Sequence, residues 1–390
     1  MSRVTWVPAM SAKKNCWEDF RRSMPVTEKW AYFDHAAVAP ICGPAQRALE
    51  RWLSDATTNG AVYWSAWRKS VEEARRAGAE LLGATPEEIA VIRNTTEGIN
   101  LVAEGFPWKS GDNVVTLASE FPSNRYPWMN LARHGVETRI IPTEDERVDF
   151  DRLAEACDRR TRIISVSWVG YATGWRSDVA ELVDFAHQRG ACLFLDAIQG
   201  LGVFPLDLTE IPVDFLAADG HKWLLGPEGA GLFFIRQKHL DLLQPVGIGW
   251  NSVMNAGDFG STTLNLKHDA GRYEGGSYNL AGITALAASL DWLLSYGVRA
   301  LSDRLLDVTD NLCGRLEAIG AAITSSRDTH QRSGIIACTL PGKNPQSLKQ
   351  RCLEQNVVVN CRANRLRLSP HVYTNEEDLQ RLIDALVSDA

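Results

Sequence analysis

The sequence predicts an α/β protein built on a doubly wound, mostly parallel sheet, and three observations carry that expectation. Strand-like and helix-like stretches alternate from Val91 to Ile235, the pattern that βαβ crossovers leave in a chain. The run Gly190-Ala191-Cys192-Leu193-Phe194-Leu195 is continuously apolar and ends in Asp196, as a strand buried on both faces would. A second apolar run, Val213 to Ala218, delivers the polar turn Asp219-Gly220-His221-Lys222. Ligands of such sheets sit beyond the carboxyl ends of the strands, which puts Asp196 and Lys222 at the mouth of a site.

Taken in order, residues 1 to 28 read as an N-terminal arm with one helix from Cys16 to Ser23. Trp30 to Phe33 is a short apolar strand running into the small-residue turn that ends at Pro40. From Pro44 to Gly83 the spacing of Val71, Ala74, Gly78, Leu81 and Leu82 is helical. After Thr85 and Pro86, which fit a helix start, the strand Ala90 to Ile92 leads through Thr95 and Thr96 into another helix. A helix N-terminus presents unpaired N–H groups and suits a phosphate, whereas a plain capping box on Thr96 is the competing reading.

Further strands are expected at Asn113 to Leu117, Glu137 to Ile141 and Thr161 to Ser167, the last two separated by a helix from Phe150 to Cys157. Val179 to Arg189 is an amphipathic helix leading back to the Asp196 strand, and Gly229 to Ile235 is a returning strand. Residues 240 to 266 read as irregular, and Leu280 to Tyr296 as a long linking helix. Beyond it, two apolar strands, Gly334 to Leu340 and Asn356 to Asn360, lie between helical stretches.

The chain of 390 residues allows about two or three domains. With 45% apolar and 23% charged residues it has the composition of a protein with ample core. A net charge of -7 offers no basic stripe for nucleic acid, so a phosphate-bearing ligand would be held by local groups. The 8 cysteines form no CxxC pair and no zinc spacing, which suits a reducing interior. Residues 1 to 15 lack a signal-peptide core and no stretch is apolar enough to span a bilayer, so the expectation is a soluble, cytoplasmic protein that binds no membrane. There is no repeat, low-complexity tract, dinucleotide fingerprint or metal constellation.

Lys222 is the centre of the expected chemistry. A primary amine is nearly all protonated at neutral pH against a reference pKa of about 10.4, and partial burial or a nearby cation frees its lone pair for imine formation with an aldehyde. A carboxylate at Asp196 can hold a pyridine nitrogen protonated, which makes such a ring an electron sink.

Asp196-Ala197-Ile198-Gln199 followed by Gly220-His221-Lys222 resembles the signature of class V pyridoxal-phosphate enzymes of fold type I, over roughly Tyr32 to the C-terminus. The resemblance implies a large domain, 29 to 296, with a mostly parallel seven-stranded sheet flanked by helices, and a smaller α+β C-terminal domain, 297 to 390. It implies pyridoxal 5'-phosphate as cofactor, bound as a Schiff base to Lys222, with Asp196 on the ring nitrogen and Thr95 and Thr96 on the phosphate. Phe121 stands where desulfurases place a histidine; it can stack on the ring but cannot move a proton. Gln199 is the candidate for the ring oxygen, and His221 for the phosphate or for orienting Lys222. Arg367 falls where the family binds the substrate carboxylate, and His35 and Ala37 are candidate substrate neighbours. Arg272-Tyr273-Glu274-Gly275-Gly276-Ser277 resembles the segment that reaches the cofactor phosphate of the partner subunit; Gly276 and Ser277 therefore imply a homodimer with shared sites, a simple glycine turn being the alternative. Asp219 departs from the serine often found there.

Only seven residues separate Val359 from Arg367, too few for the extended cysteine loop of a desulfurase, and Cys361 reads as a small strand-end residue. The chain is therefore expected nearer to isopenicillin N epimerase-like members than to true desulfurases. The resemblance implies an enzyme acting at the α carbon of an amino acid, first of all an aminotransferase. A carbon-sulfur or carbon-selenium lyase of cysteine desulfurase type, an epimerase, and a non-catalytic cofactor-binding protein are the alternatives.

Overall fold

The computed structural model describes residues 16–388. In chain order they form α1 (Cys16–Arg22), β1 (Ala31–Tyr32), α2 (Gly43–Asn59), α3 (Trp64–Leu82), β2 (Ile89–Ile92), α4 (Thr95–Gly105), β3 (Asn113–Leu117) and α5 (Tyr126–Asn130). Next come β4 (Glu137–Ile141), α6 (Phe150–Ala156), β5 (Thr161–Ser167), α7 (Val179–Gln188), β6 (Cys192–Asp196), β7 (Phe215–Asp219) and β8 (Gly231–Ile235). The rest is α8 (Leu280–Tyr296), α9 (Val298–Ala318), β9 (Ala322–Ile323), β10 (Ile336–Thr339), α10 (Pro345–Glu354), β11 (Val357–Val358), β12 (Asn360–Arg362), β13 (Arg365–Leu368) and α11 (Glu376–Val387).

Seven strands make one sheet in the order β2-β8-β7-β6-β5-β3-β4. It is parallel from β7 to β4, while β8 runs antiparallel to both β7 and β2. The expected mostly parallel sheet of a fold type I protein is present. Strands β2, β3, β7 and β8 are buried at every position, and of the two continuous apolar runs in the sequence the one from Val213 to Ala218 leads into fully buried β7, while the other forms β6, buried at all but Cys192. Helix α4 packs on β7 through Gly98, where an added Cβ would lie 2.6 Å from the Cβ of Ala217. That close approach sets the N-terminus of α4 beside the end of β7.

The single helical stretch expected from Pro44 to Gly83 is two helices. Gly60, with φ 56° and ψ -132°, leaves the helical region and turns the chain between α2 and α3, a conformation that glycine adopts at no steric penalty. The C-terminal expectation of two strands is also corrected. β12, β13, β10 and β9 form an antiparallel sheet of four, and Val357–Val358 pairs instead in parallel with Ala31–Tyr32. A pairing over so long a separation leaves no local signal, because both partners are ordinary short apolar runs. The helix expected from Cys16 appears as α1; the remainder of the arm up to residue 15 lies outside the described residues. No single helix among the described residues is long and apolar enough to cross a membrane.

Candidate active site

Strands β6 and β7 are parallel neighbours with Asp196 opposite Ala217, so their carboxyl ends open side by side. Asp196 closes one, and the turn after the other carries Lys222. That turn is short and fixed: Leu225 N–H donates to the Lys222 carbonyl at 3.0 Å and Gly226 N–H to that of Gly220 at 2.9 Å. Leu225 holds φ at 55°, a left-handed conformation that disfavours a leucine; the buried leucine side chain holds it there. A cavity of ≈ 300 Å³ lies between the two strand ends, with Lys222, Asp196, Thr95, Thr96, Phe121 and His221 in its wall. Phe121 is half-exposed, and its ring centroid lies 5.9 Å from Lys222 Nζ.

Burial decides the electrostatics of this cavity. It pushes the Lys222 ammonium down to about 8, against the attraction of Asp196 and with the help of the Arg367 charge. Burial likewise raises Asp196 to about 6, partly offset by the Ile198 N–H and by Lys222. Each group therefore feels the other, an acid and an amine in one cavity.

The first turn of α4 enters the same cavity wall. Helix α4 is capped by Asn94, whose side chain accepts from Glu97 N–H, so the capping box considered for Thr96 is replaced by an Asn94 cap. The Thr95 and Thr96 N–H groups, in the first turn, have no acceptor inside the helix. Thr96 Oγ1 donates to Ser123 Oγ at 2.9 Å, and Thr95 Oγ1 accepts from Asp219 N–H at 3.0 Å. Asp219 has an account here that its sequence position does not give. One oxygen accepts from Gly220 N–H at 2.7 Å and the other lies 3.0 Å from His221 Nδ1, within ion-pair distance but outside hydrogen-bond geometry. Asp219 thus braces the lysine turn.

Other expected site residues lie behind this wall. Gln199 is buried; its Nε2 donates to the Ala36 carbonyl at 3.0 Å, and its Oε1 accepts from Trp223 Nε1 at 2.8 Å. One amide N–H of Gln199 remains after those bonds. His35 is fully buried outside the cavity wall, with Nδ1 2.8 Å from the Ser369 carbonyl and Nε2 2.8 Å from the Tyr373 hydroxyl. Burial pushes its imidazole down to about 4 and keeps it neutral. Ala37 is half-buried in the same turn, its N–H bonded to the Asp34 carbonyl, and it is not in the cavity wall. Arg367 is buried, with Nη2 3.0 Å from Asp34 Oδ1 and Nη1 2.9 Å from the Tyr171 carbonyl.

Gly276 and Ser277 are exposed in a groove of ≈ 710 Å³ that adjoins the cavity at Asn94, Thr96 and Gly229. Their segment is anchored by the buried pair Arg75–Glu274 at 2.8 Å, with Glu274 Oε1 also accepting from Val91 N–H at 2.7 Å. Cys361 donates its thiol to the Pro345 carbonyl at 3.1 Å, and burial raises its pKa. The hairpin joining β12 to β13 turns on Ala363 and Asn364, at φ 47° and 58°, a two-residue turn of the kind that twists adjacent strands together.

Several residues went unnoticed in the sequence: Asn94 and Ser123 beside the threonines, Asp34 and Asn360 around Arg367, and Glu120. Glu120 is buried and accepts from Ser167 N–H at 2.7 Å and from Asn124 Nδ2 at 2.9 Å, and burial pushes its carboxyl up to about 7. An acid closing the buried strand β3 was the available signal.

Residues 31–382 match the family described as aminotransferase class-V. The chain belongs to the class V aminotransferase family. A probable cysteine desulfurase of Methanothermobacter thermautotrophicus is 29% identical over 95% of this chain and 97% of its own. Cysteine desulfurase CsdA of Escherichia coli is 31% identical over 72% of this chain and 71% of its own. The apo structure of a cysteine desulfurase from Thermococcus onnurineus NA1 superposes with a TM-score of 0.86 at 25% identity, covering 96% of this chain and 98% of that one. These relatives of the class V chain are named as desulfurases, so their names do not carry the expected placement nearer to epimerase-like members.

Proposed function

We propose that this class V chain is a pyridoxal-phosphate enzyme acting at the α carbon of an amino acid, and within that chemistry an aminotransferase. The observation that carries it is a single cavity holding Lys222 and Asp196 together, with the first turn of α4 at one end. The donor set fits the cofactor. The cavity volume is that of a small-ligand site, the α4 N–H groups and threonine hydroxyls suit a phosphate, and the Asp219 carboxylate in the same wall is already engaged by Gly220.

Bound there, pyridoxal phosphate supplies an electron sink that stabilises negative charge at the substrate α carbon. Lys222, with its ammonium held down near 8, takes and returns the α proton, as a base poised near the working pH can. Asp196, in the same wall, would hold a proton on the heterocyclic nitrogen. Thr95 and Thr96 would hold the phosphate, with His221 in the same cavity wall. Phe121 lies beside Lys222, and in Gln199, behind the wall, one amide N–H is left that would be the group to turn to the ring oxygen. Arg367 receives the substrate carboxylate through its planar fork. The exposure of Gly276 and Ser277 beside the cavity supports a homodimer in which each copy completes the other's phosphate site. Eight free cysteines support a reducing, cytoplasmic setting.

The names of the relatives favour a second reading, a carbon-sulfur lyase or desulfurase-like reaction. Against a true desulfurase stand the tight β12–β13 hairpin and the bonded Cys361, which support the placement nearer to epimerase-like members. One experiment tests the set: purified protein is mixed with an amino-acid panel under single turnover, alongside Lys222→Ala. Transamination leaves pyridoxamine phosphate, a lyase leaves pyruvate or alanine with sulfide or selenide, and an epimerase leaves the inverted amino acid. Undiminished activity or visible absorption in Lys222→Ala refutes the assignment.

A further inference from the structure

Arg367 is already answered by a carboxylate of its own chain. The arginine is 1% exposed and Asp34 8%. One Asp34 oxygen accepts from Arg367 Nη2 at 3.0 Å and the other from Asn360 Nδ2 at 2.6 Å. Arg367 Nη1 is taken by the Tyr171 carbonyl, while Nε is buried with no acceptor. The guanidinium therefore has donor capacity left over, in a place closed to bulk water.

It also stands one layer from the lysine. Tyr171, whose carbonyl Arg367 holds, meets Phe121 edge to face with ring centroids 5.3 Å apart, and Phe121 lies against Lys222. A substrate carboxylate reaching Arg367 meets a pair already made. A second cation is available to the displaced acid: Arg362 Nη1 donates at 3.0 Å to Asn360 Oδ1, on the side chain that also holds Asp34.

We propose that Asp34 is the resting occupant of the carboxylate-binding arginine and that the substrate carboxylate takes its place. The inference rests on the reading of Arg367 given above. Its physical basis is that a buried guanidinium is not left without an anion. A second carboxylate can replace the first, and a neutral carboxamide cannot, so the exchange admits acids and rejects amides. Asp34 is a positioning residue here, since it acts through Arg367.

The test uses the amino acid turned over fastest in the panel and its carboxamide, with Asp34→Asn, Asn360→Ala and Arg367→Gln beside the wild type. In Asp34→Asn the arginine lacks its resting anion. KM for the amino acid is expected to fall about fivefold, KM for the carboxamide to stay, and the change in kcat to be the smaller of the two, on the scale of one charge-assisted hydrogen bond. Asn360→Ala, which loosens Asp34 without removing its charge, shifts KM in the same direction by less. Acetate, and not acetamide, raises the thermal midpoint of the cofactor-free Asp34→Asn chain more than that of the wild type. If KM rises equally for acid and amide in Asp34→Asn, Asp34 merely holds the arginine in place and the exchange is overturned. If Arg367→Gln keeps the wild-type preference for acid over amide, the reading of Arg367 itself fails, a separate outcome.

Discussion

The indole N–H of Trp223 donates to Oε1 of Gln199 at 2.8 Å, tying the residue after the lysine to the turn after Asp196. The same glutamine holds the Ala36 carbonyl with its nitrogen, so the lysine turn, the turn after Asp196 and the segment at Ala36 meet on one side chain. Gln199→Leu leaves the buried indole N–H and the Ala36 carbonyl unpaired. A loss of about 1–3 kcal/mol in denaturant-induced unfolding is expected, with a fall in kcat because Lys222 and Asp196 are no longer held in register.

Glu120 gives the chain a pH dependence whose sign follows from its burial. The folded carboxyl is raised from 4.5 to about 7, so between those values the folded chain keeps a proton that the unfolded chain has released. Stability from this group is present below about 4.5 and is lost as pH rises towards about 7, an effect of roughly 3 kcal/mol. In Glu120→Gln the thermal midpoint of the cofactor-free chain is expected to fall less between pH 5 and 7 than in the wild type, on the same scale. An unchanged slope counts against a raised carboxyl at this position.

Lys222 in the cofactor-free chain is expected to react with an amine-directed aldehyde reagent faster at pH 8 than the exposed lysines do, since burial holds it near 8 rather than 10.5. Asp196 pulls that value up. Asp196→Asn therefore raises the neutral fraction at pH 7 and speeds labelling of Lys222, as peptide mapping would read; slower labelling contradicts the coupling.

Cys361→Ser is expected to leave turnover within about twofold of the wild type, because the thiol is bonded to the Pro345 carbonyl and raised by burial, the opposite of a reactive thiolate. Complete loss of sulfur release from cysteine in this variant would instead establish a desulfurase.

Gly98→Ala tests how α4 is placed. The new methyl would lie 2.6 Å from the Ala217 Cβ and 3.1 Å from Ile92, so α4 must lift from β7, at about 1–3 kcal/mol of stability. Binding of inorganic phosphate or of the cofactor is expected to weaken with it, since the helix N-terminus moves with Gly98.

The sheet was legible because strand-like and helix-like stretches alternate, and because β6 and β7 at its centre are apolar up to their closing aspartates, as burial on both faces requires. Asp196, Lys222, Thr95 and Thr96 were legible because strand ends and helix starts are local features, and the αβ alternation brings them to one edge of the sheet. The break at Gly60 escaped notice because an amphipathic pattern resumes after it, and the β1–β11 pairing because two short apolar runs carry no record of each other.

The sequence by itself determined which chemical groups are present and on which elements they ride, since strand and helix periodicity depends on neighbours a few residues away. Tertiary structure alone decided which of those groups face the cavity. It buried His35 against Ser369 and Tyr373, placed Asp34 on Arg367, and turned Asp219 into the brace of the lysine turn. Each of those outcomes depends on segments far apart in the chain, and on a desolvation that no residue imposes on itself.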